Sequence, residues 1–94
     1  MNDAVVSRSV AIVNAQGLHA RPACLIVKTA NGFDCELTLH LGGGSADCRS
    51  IMEMIMLVSP QGAAGRVEAR GAGAEAAVEA IASLFADGFG EAYD

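Results

Sequence analysis

Cys35-Glu36-Leu37-Thr38-Leu39-His40-Leu41, followed by Gly42-Gly43-Gly44 and Ser45-Ala46-Asp47-Cys48, decides the fold class of this 94-residue chain. Leu37, Leu39 and Leu41 recur at every second position, the period of a strand with one buried face. The glycines supply a turn and Ser45–Cys48 a short return strand, so the stretch reads as a hairpin. Strands that bury only one face suit an antiparallel sheet, and the covering layer must come from the helices of the same chain.

The flanking segments supply those helices. Upstream, the β-branched run Val5–Val13 reads as a strand, and Asn14-Ala15-Gln16-Gly17 as a loop. Ala20–Ala30 reads as a helix, with Pro22 tolerated in its first turn. Its core face is Ala23, Ile26, Val27 and Ala30; Arg21, Cys24 and Lys28 form a neighbouring stripe, and Gly32 is the expected C′ residue. Downstream, Ser50 is placed to cap a short helix from Ile51 to about Leu57. Pro60–Gly65 is a loop and Arg66–Arg70 a fourth strand. The last helix runs from Ala74 to Asp87, with Val78, Ile81, Leu84 and Phe85 as its apolar stripe and Glu75 and Glu79 at the rim. Gly88 ends it, and Phe89 is expected to fold back on it. The order βαββαβα predicts an α+β, two-layer open-faced sandwich, and the whole of residues 1–94 reads as one domain.

Composition narrows the function classes. The net charge of −5 argues against general nucleic-acid binding. The charge is unevenly spread: residues 51–94 hold seven acids against Arg66 and Arg70, whereas residues 1–50 hold four acids and four bases. A locally basic site on an acidic protein is therefore possible. No apolar run is long enough to insert in a membrane, and Met1-Asn2-Asp3-Ala4 lacks the basic and apolar regions of a signal peptide, which predicts a cytoplasmic protein. Cys24, Cys35 and Cys48 show no metal-ligand spacing and read as reduced, small apolar residues; neither a metal nor a cofactor is expected.

Chemistry concentrates in Gly17-Leu18-His19-Ala20-Arg21-Pro22-Ala23. A helix N-terminus offers unpaired N–H groups and the positive end of the macrodipole, and so attracts phosphate. Arg21 adds a planar cation that grips phosphoryl oxygens in two places. An imidazole is a competent nucleophile near neutral pH. Together these residues predict a histidine that accepts a phosphoryl group and passes it on. By contrast His40 lies on the polar phase of its strand, and Gly42-Gly43-Gly44 is not a phosphate loop, since no GK[ST] follows.

The same seven residues resemble the active-site signature of the HPr family of histidine phosphocarriers of the bacterial phosphotransferase system. The likeness continues through Gly32-Phe33-Asp34 and Ser50-Ile51-Met52 to Ile81–Phe89, where it is similar to the nitrogen-related branch of that family. The resemblance implies a four-stranded antiparallel sheet in the order 1-4-2-3 with three helices on one face. It further implies that Nδ1 of His19, the pros nitrogen, takes the phosphoryl group from enzyme I and gives it to an enzyme IIA component, with Arg21 stabilising the group. Such a protein is a monomeric transfer intermediate rather than an independent enzyme. Sugar transport and nitrogen regulation both remain open as its pathway. The alternative is a regulatory binding protein of the same fold that acts according to its phosphorylation state.

Ser50 carries two readings. It caps the Ile51–Leu57 helix, and by resemblance it is a regulatory site for HPr kinase/phosphorylase. Glu53 stands where several such substrates carry glycine, and its charge opposes phosphorylation. The helix after Ser50 is apolar nearly all round, in a domain too thin to bury every side of it. Ile51, Met52 and Ile55 are expected to contact partners, with Lys28 and Arg49 as a basic rim.

Overall fold

A computed structural model describes residues 4–57 and 59–94, so Met1–Asp3, used in the signal-peptide reading, lie outside the described residues. The elements are β1 (Val5–Ala11), α1 (Ala20–Ala30), β2 (Glu36–Leu41), β3 (Gly44–Asp47), α2 (Ile51–Met56), β4 (Ala64–Arg70) and α3 (Ala74–Ala86), then a 3₁₀ turn at Gly88–Gly90. The hairpin forms as its alternation requires. Leu41 pairs with Gly44, so the turn is the two residues Gly42 and Gly43. Their φ angles of +58° and +88° explain why both are glycine.

The sheet is antiparallel in the order β1-β4-β2-β3. Leu37, Leu39, Leu41, Val67, Ala69 and Val10 are buried beneath the helices. On the same strands Glu36, Arg66, Arg70, Ser7 and Ser9 are exposed, and Thr38, His40 and Glu68 half-buried, so the other sheet face is open to solvent. Ala23, Ile26 and Ala30 of α1 and Ala77, Val78, Ile81 and Phe85 of α3 complete the core. The edge strand β1 is tied down by Arg8, whose guanidinium reaches Glu79 at 2.5 Å and Glu75 at 3.3 Å on α3.

Several boundaries differ from expectation. β1 stops at Ala11, because the chain then turns toward the site while Ile12 remains buried. β4 begins at Ala64, since register with β1 and β2 overrides the weak strand preference of Ala64 and Gly65. Gly32 does not close α1 in the left-handed conformation. The last turn tightens instead, with Gly32 N–H donating to Thr29 O and Phe33 N–H to Ala30 O. Val27 and Leu84, expected in the core, are half-buried. After α3, Gly88 takes φ +63° and Phe89 folds back on Phe85, ring centroids 4.9 Å apart.

Candidate functional site

His19 is the N-cap of α1, with extended backbone angles (φ −131°, ψ −167°), and its side chain does not cap the helix. The ring is therefore left to do something else. Three features fix its base. Leu18 is buried and pairs with Ser59, its N–H donating to Ser59 O at 2.8 Å. Gly17 has φ +72°, and a Cβ there would stand 2.3 Å from Ser59 O, so only glycine fits. Ala23 N–H donates to His19 O at 3.0 Å and starts the helix. Pro22 has no N–H, which leaves the amides of Ala20 and Arg21 as the first-turn donors.

The carboxylate of Glu91, beyond the end of α3, closes the site. His19 Nε2 lies 3.0 Å from both Glu91 oxygens. Arg21 Nη1 donates to Glu91 Oε2 at 3.0 Å and to Phe89 O at 2.8 Å. Asn14 Nδ2 donates to Glu91 Oε1 at 2.9 Å and to Gly17 O at 2.8 Å. Phe89 is held at φ +56°, a strained value for an aromatic residue, and its carbonyl is the one Arg21 grips. The His19 hydrogen bond is the main cause that holds the Glu91 carboxyl below the usual carboxylate range; burial opposes it, and Asn14 and Arg21 assist.

A carboxylate only accepts hydrogen bonds, so the nitrogen facing it carries the proton. The neutral ring is thereby fixed as the Nε2–H form, with the lone pair on Nδ1. No hydrogen bond to Nδ1 exists among the described residues. Arg21 is exposed, and of its side-chain donors only Nη1 makes a bond among the described residues, so the others remain available to an incoming anion.

The remaining expected residues fall on neighbouring elements. Cys24 and Lys28 are exposed on α1, along the stripe of Arg21. Ser50 caps α2, its Oγ accepting from Glu53 N–H at 3.2 Å. Glu53 in turn accepts from Asp47 N–H at 3.0 Å, so its carboxylate braces the turn before the helix. α2 packs beside α1 and ends at Met56 rather than Leu57. Met54 is fully buried, whereas Met52 is 73 %, Ile55 42 % and Met56 84 % exposed. Ile51 is half-buried against the core, so Met56 extends the exposed patch further than Ile51 does. Lys28 and Arg49 make no ion pair among the described residues. His40 is engaged by Glu68 at 2.6 Å on the open sheet face. The three cysteines are free thiols, and burial, helped by Asp47, pushes the Cys48 thiol up to about 12. Among the described residues no group of side chains is arranged to hold a metal ion, and no helix is long and apolar enough to cross a membrane.

Sequence reasoning missed Glu91 and Asn14. Glu91 is 72 positions from His19, and no periodicity signals that the chain returns there. Asn14 resembles any loop asparagine until its burial is seen.

Comparison with known proteins agrees with this geometry. Residues 6–87 match the family described as the HPr component phosphorylation site of the phosphotransferase system. The chain is 39 % identical over 87 residues to phosphocarrier protein NPr of Escherichia coli K12, covering 92 % of this chain and 97 % of that one. It is 35 % identical over 91 residues to phosphocarrier protein HPr of Chlamydia trachomatis, covering 97 % and 84 % respectively. The crystal structure of HPr from Thermoanaerobacter tengcongensis superposes with a TM-score of 0.84 at 34 % identity, over 92 % of this chain and 97 % of that one. With its sheet order, its histidine at the N-cap position of α1 and these relatives, the chain belongs to the HPr/NPr family of phosphocarrier proteins of the phosphotransferase system.

Proposed function

We propose that the protein carries a phosphoryl group on Nδ1 of His19, taking it from enzyme I and giving it to an enzyme IIA component in the cytoplasm. The observation that carries this reading is the pairing of His19 Nε2 with Glu91, which leaves Nδ1 as the nucleophilic nitrogen. In the acceptance step the Nδ1 lone pair forms a bond to phosphorus, and the donor's P–N bond breaks with its electron pair leaving on the donor nitrogen. The acceptor ring, with phosphorus on Nδ1 and a proton on Nε2, then bears positive charge. Glu91 sits against that charge, as a carboxylate sits behind a catalytic histidine in acyl transfer.

Arg21 supports the transfer from the other side. Its guanidinium is anchored through Nη1, and its free donors together with the Ala20 and Arg21 amides suit the phosphoryl oxygens. The grip is exposed. That suits a carrier, because binding that is equally tight before and during transfer does not speed the chemical step.

Partner docking is proposed on the exposed part of α2, with Met52 and Ile55 as apolar contacts, Ile51 at their edge, and Lys28 and Arg49 as a basic rim for acidic partners. Ser50, at the start of the same helix, is the proposed regulatory site for a kinase of the HPr kinase/phosphorylase type. The likeness to NPr supports the nitrogen-related branch as the pathway. Incubation with phosphoenolpyruvate and enzyme I tests the reading: an acid-labile phosphoryl adduct on His19 is expected, and no adduct would reject it.

A further inference from the structure

We infer that Asn14 is a positioning residue for phosphoryl transfer, holding Glu91 against His19 from the buried side of the site and so keeping the ring in its Nε2–H form. The inference rests on His19 as the phosphoacceptor. Asn14 is fully buried, and the only other buried polar or charged side chain among the described residues is Ser59. Its amide is only half satisfied. Nδ2 bridges Gly17 O at 2.8 Å and Glu91 Oε1 at 2.9 Å, while Oδ1 is buried with no partner. The amide cannot be turned over, since Oδ1 would then face a carbonyl and a carboxylate, both acceptors only. A buried oxygen without a partner costs stability that an apolar residue at this position would not. What that cost secures is a donor aimed at Glu91.

The surrounding contacts fit a built strap rather than a chance approach. Ala15 N–H donates to Ala92 O at 2.9 Å. Gln61 Nε2 bridges Val13 O at 2.9 Å and Tyr93 O at 2.6 Å. Residues 91–93 thus lie along the 13–15 loop, and Asn14 supplies the side-chain bond that fixes the carboxylate of that strap. Glu91 is beyond the stretch 6–87 matched by the family model, and residues 91–93 reach the site only through these contacts with the 13–15 loop and Gln61 and those of Glu91 with His19 and Arg21.

A double-mutant cycle with phosphoramidate as a small-molecule donor tests the assignment on the full chain. N14A is expected to slow phosphorylation of His19 roughly tenfold, a size within the coupling range of groups in one network. It is also expected to lower the Nε2–H fraction read from ¹⁵N shifts of the ring. In an E91A background N14A should add no further slowing, because its effect passes through Glu91. Equal slowing in both backgrounds, with an unchanged tautomer ratio, would make Asn14 a merely structural loop residue and overturn the inference. N14D keeps the shape but sets a carboxylate against Glu91, and should reduce the Nε2–H fraction more than N14A does; an unchanged fraction overturns the inference too. If neither Asn14 variant folds, E91A alone decides: the Asn14 side-chain amide signal must move when its acceptor is removed, and a stationary signal rejects the contact. Wild-type protein that takes no phosphoryl group on His19 would reject the parent reading, while the tautomer comparison would still judge Asn14.

Discussion

Glu91→Ala separates the proposed site from an ordinary surface cluster. The Glu91 side chain is 16 % exposed and receives bonds from His19, Asn14 and Arg21. Hydrogen bonds to charged groups are worth about 1.5–3 kcal/mol each when shielded. Three discounts apply here. The Arg21 side chain is 55 % exposed, so solvent screens its share. Arg21 also keeps Phe89 O, and Asn14 keeps Gly17 O, after the substitution. A net loss of about 1–2 kcal/mol at neutral pH follows, or about 5–15 °C in melting temperature for a domain of this size.

The pH dependence sharpens this test. His19 and its neighbours hold the Glu91 carboxyl below its usual value. The unfolded chain therefore binds the proton more readily, and the stabilisation is fully present above about pH 4.3, the unperturbed glutamate value. It is lost as pH falls through the lower, folded value. Thermal melts of wild type and Glu91→Ala from pH 7 to pH 3 should show a gap that closes at the acid end. Transfer to His19 at neutral pH should slow about 10- to 100-fold, because no carboxylate then offsets the positive charge that develops on the ring. Equal melting temperatures at pH 7, or a gap that persists unchanged to pH 3, would refute the reasoning.

Further outcomes follow from the same contacts. Arg21→Ala should slow transfer roughly 10- to 1000-fold without abolishing it, since the helix amides remain; an unchanged rate in rapid-quench measurements would make Arg21 a bystander. Ser50→Ala should cost about 0.5–2 kcal/mol in denaturant melts by deleting the cap on Glu53 N–H, whereas Ser50→Asp can still cap. Ser50→Asp should therefore melt almost as wild type but bind enzyme I more weakly by calorimetry, and equal affinity would reject the docking face or the influence of Ser50 on it. Met54→Ala should destabilise by about 2–5 kcal/mol as a core truncation, while the exposed Met52→Ala should leave the melt unchanged and weaken enzyme I binding; the reverse pattern would invert the assigned faces of α2.

Local pattern carried most of the fold. Alternating leucines at 37, 39 and 41 marked β2 and its buried face, and α1 runs from Ala20 to Ala30 as its 3.6-residue period requires. The placing of His19 and Arg21 together at one helix start was legible because a helix start, an imidazole and a guanidinium fall within three consecutive residues. The start of β4 was not, because Ala64 and Gly65 are weak strand formers and join the sheet through pairing with β1 and β2. Which methionine of α2 turns inward depends on its neighbours in space, since the helix is apolar on nearly every side. Glu91 and Asn14 were hidden for the same reason in stronger form. Their significance lies in one carboxylate meeting residues 14, 19 and 21, a meeting made by the chain's return after α3 rather than by any local spacing.

The central claim is tested most directly by the position of the phosphoryl group. Wild type and His19→Ala are incubated with phosphoenolpyruvate and enzyme I, and the adduct is located by mass spectrometry and by ³¹P and ¹⁵N NMR. The account predicts one acid-labile phosphoryl group on Nδ1 of His19 in the wild type and none in His19→Ala, whose fold persists. An adduct that survives in His19→Ala, or one carried on Nε2, on His40 or on a hydroxyl group, would contradict it.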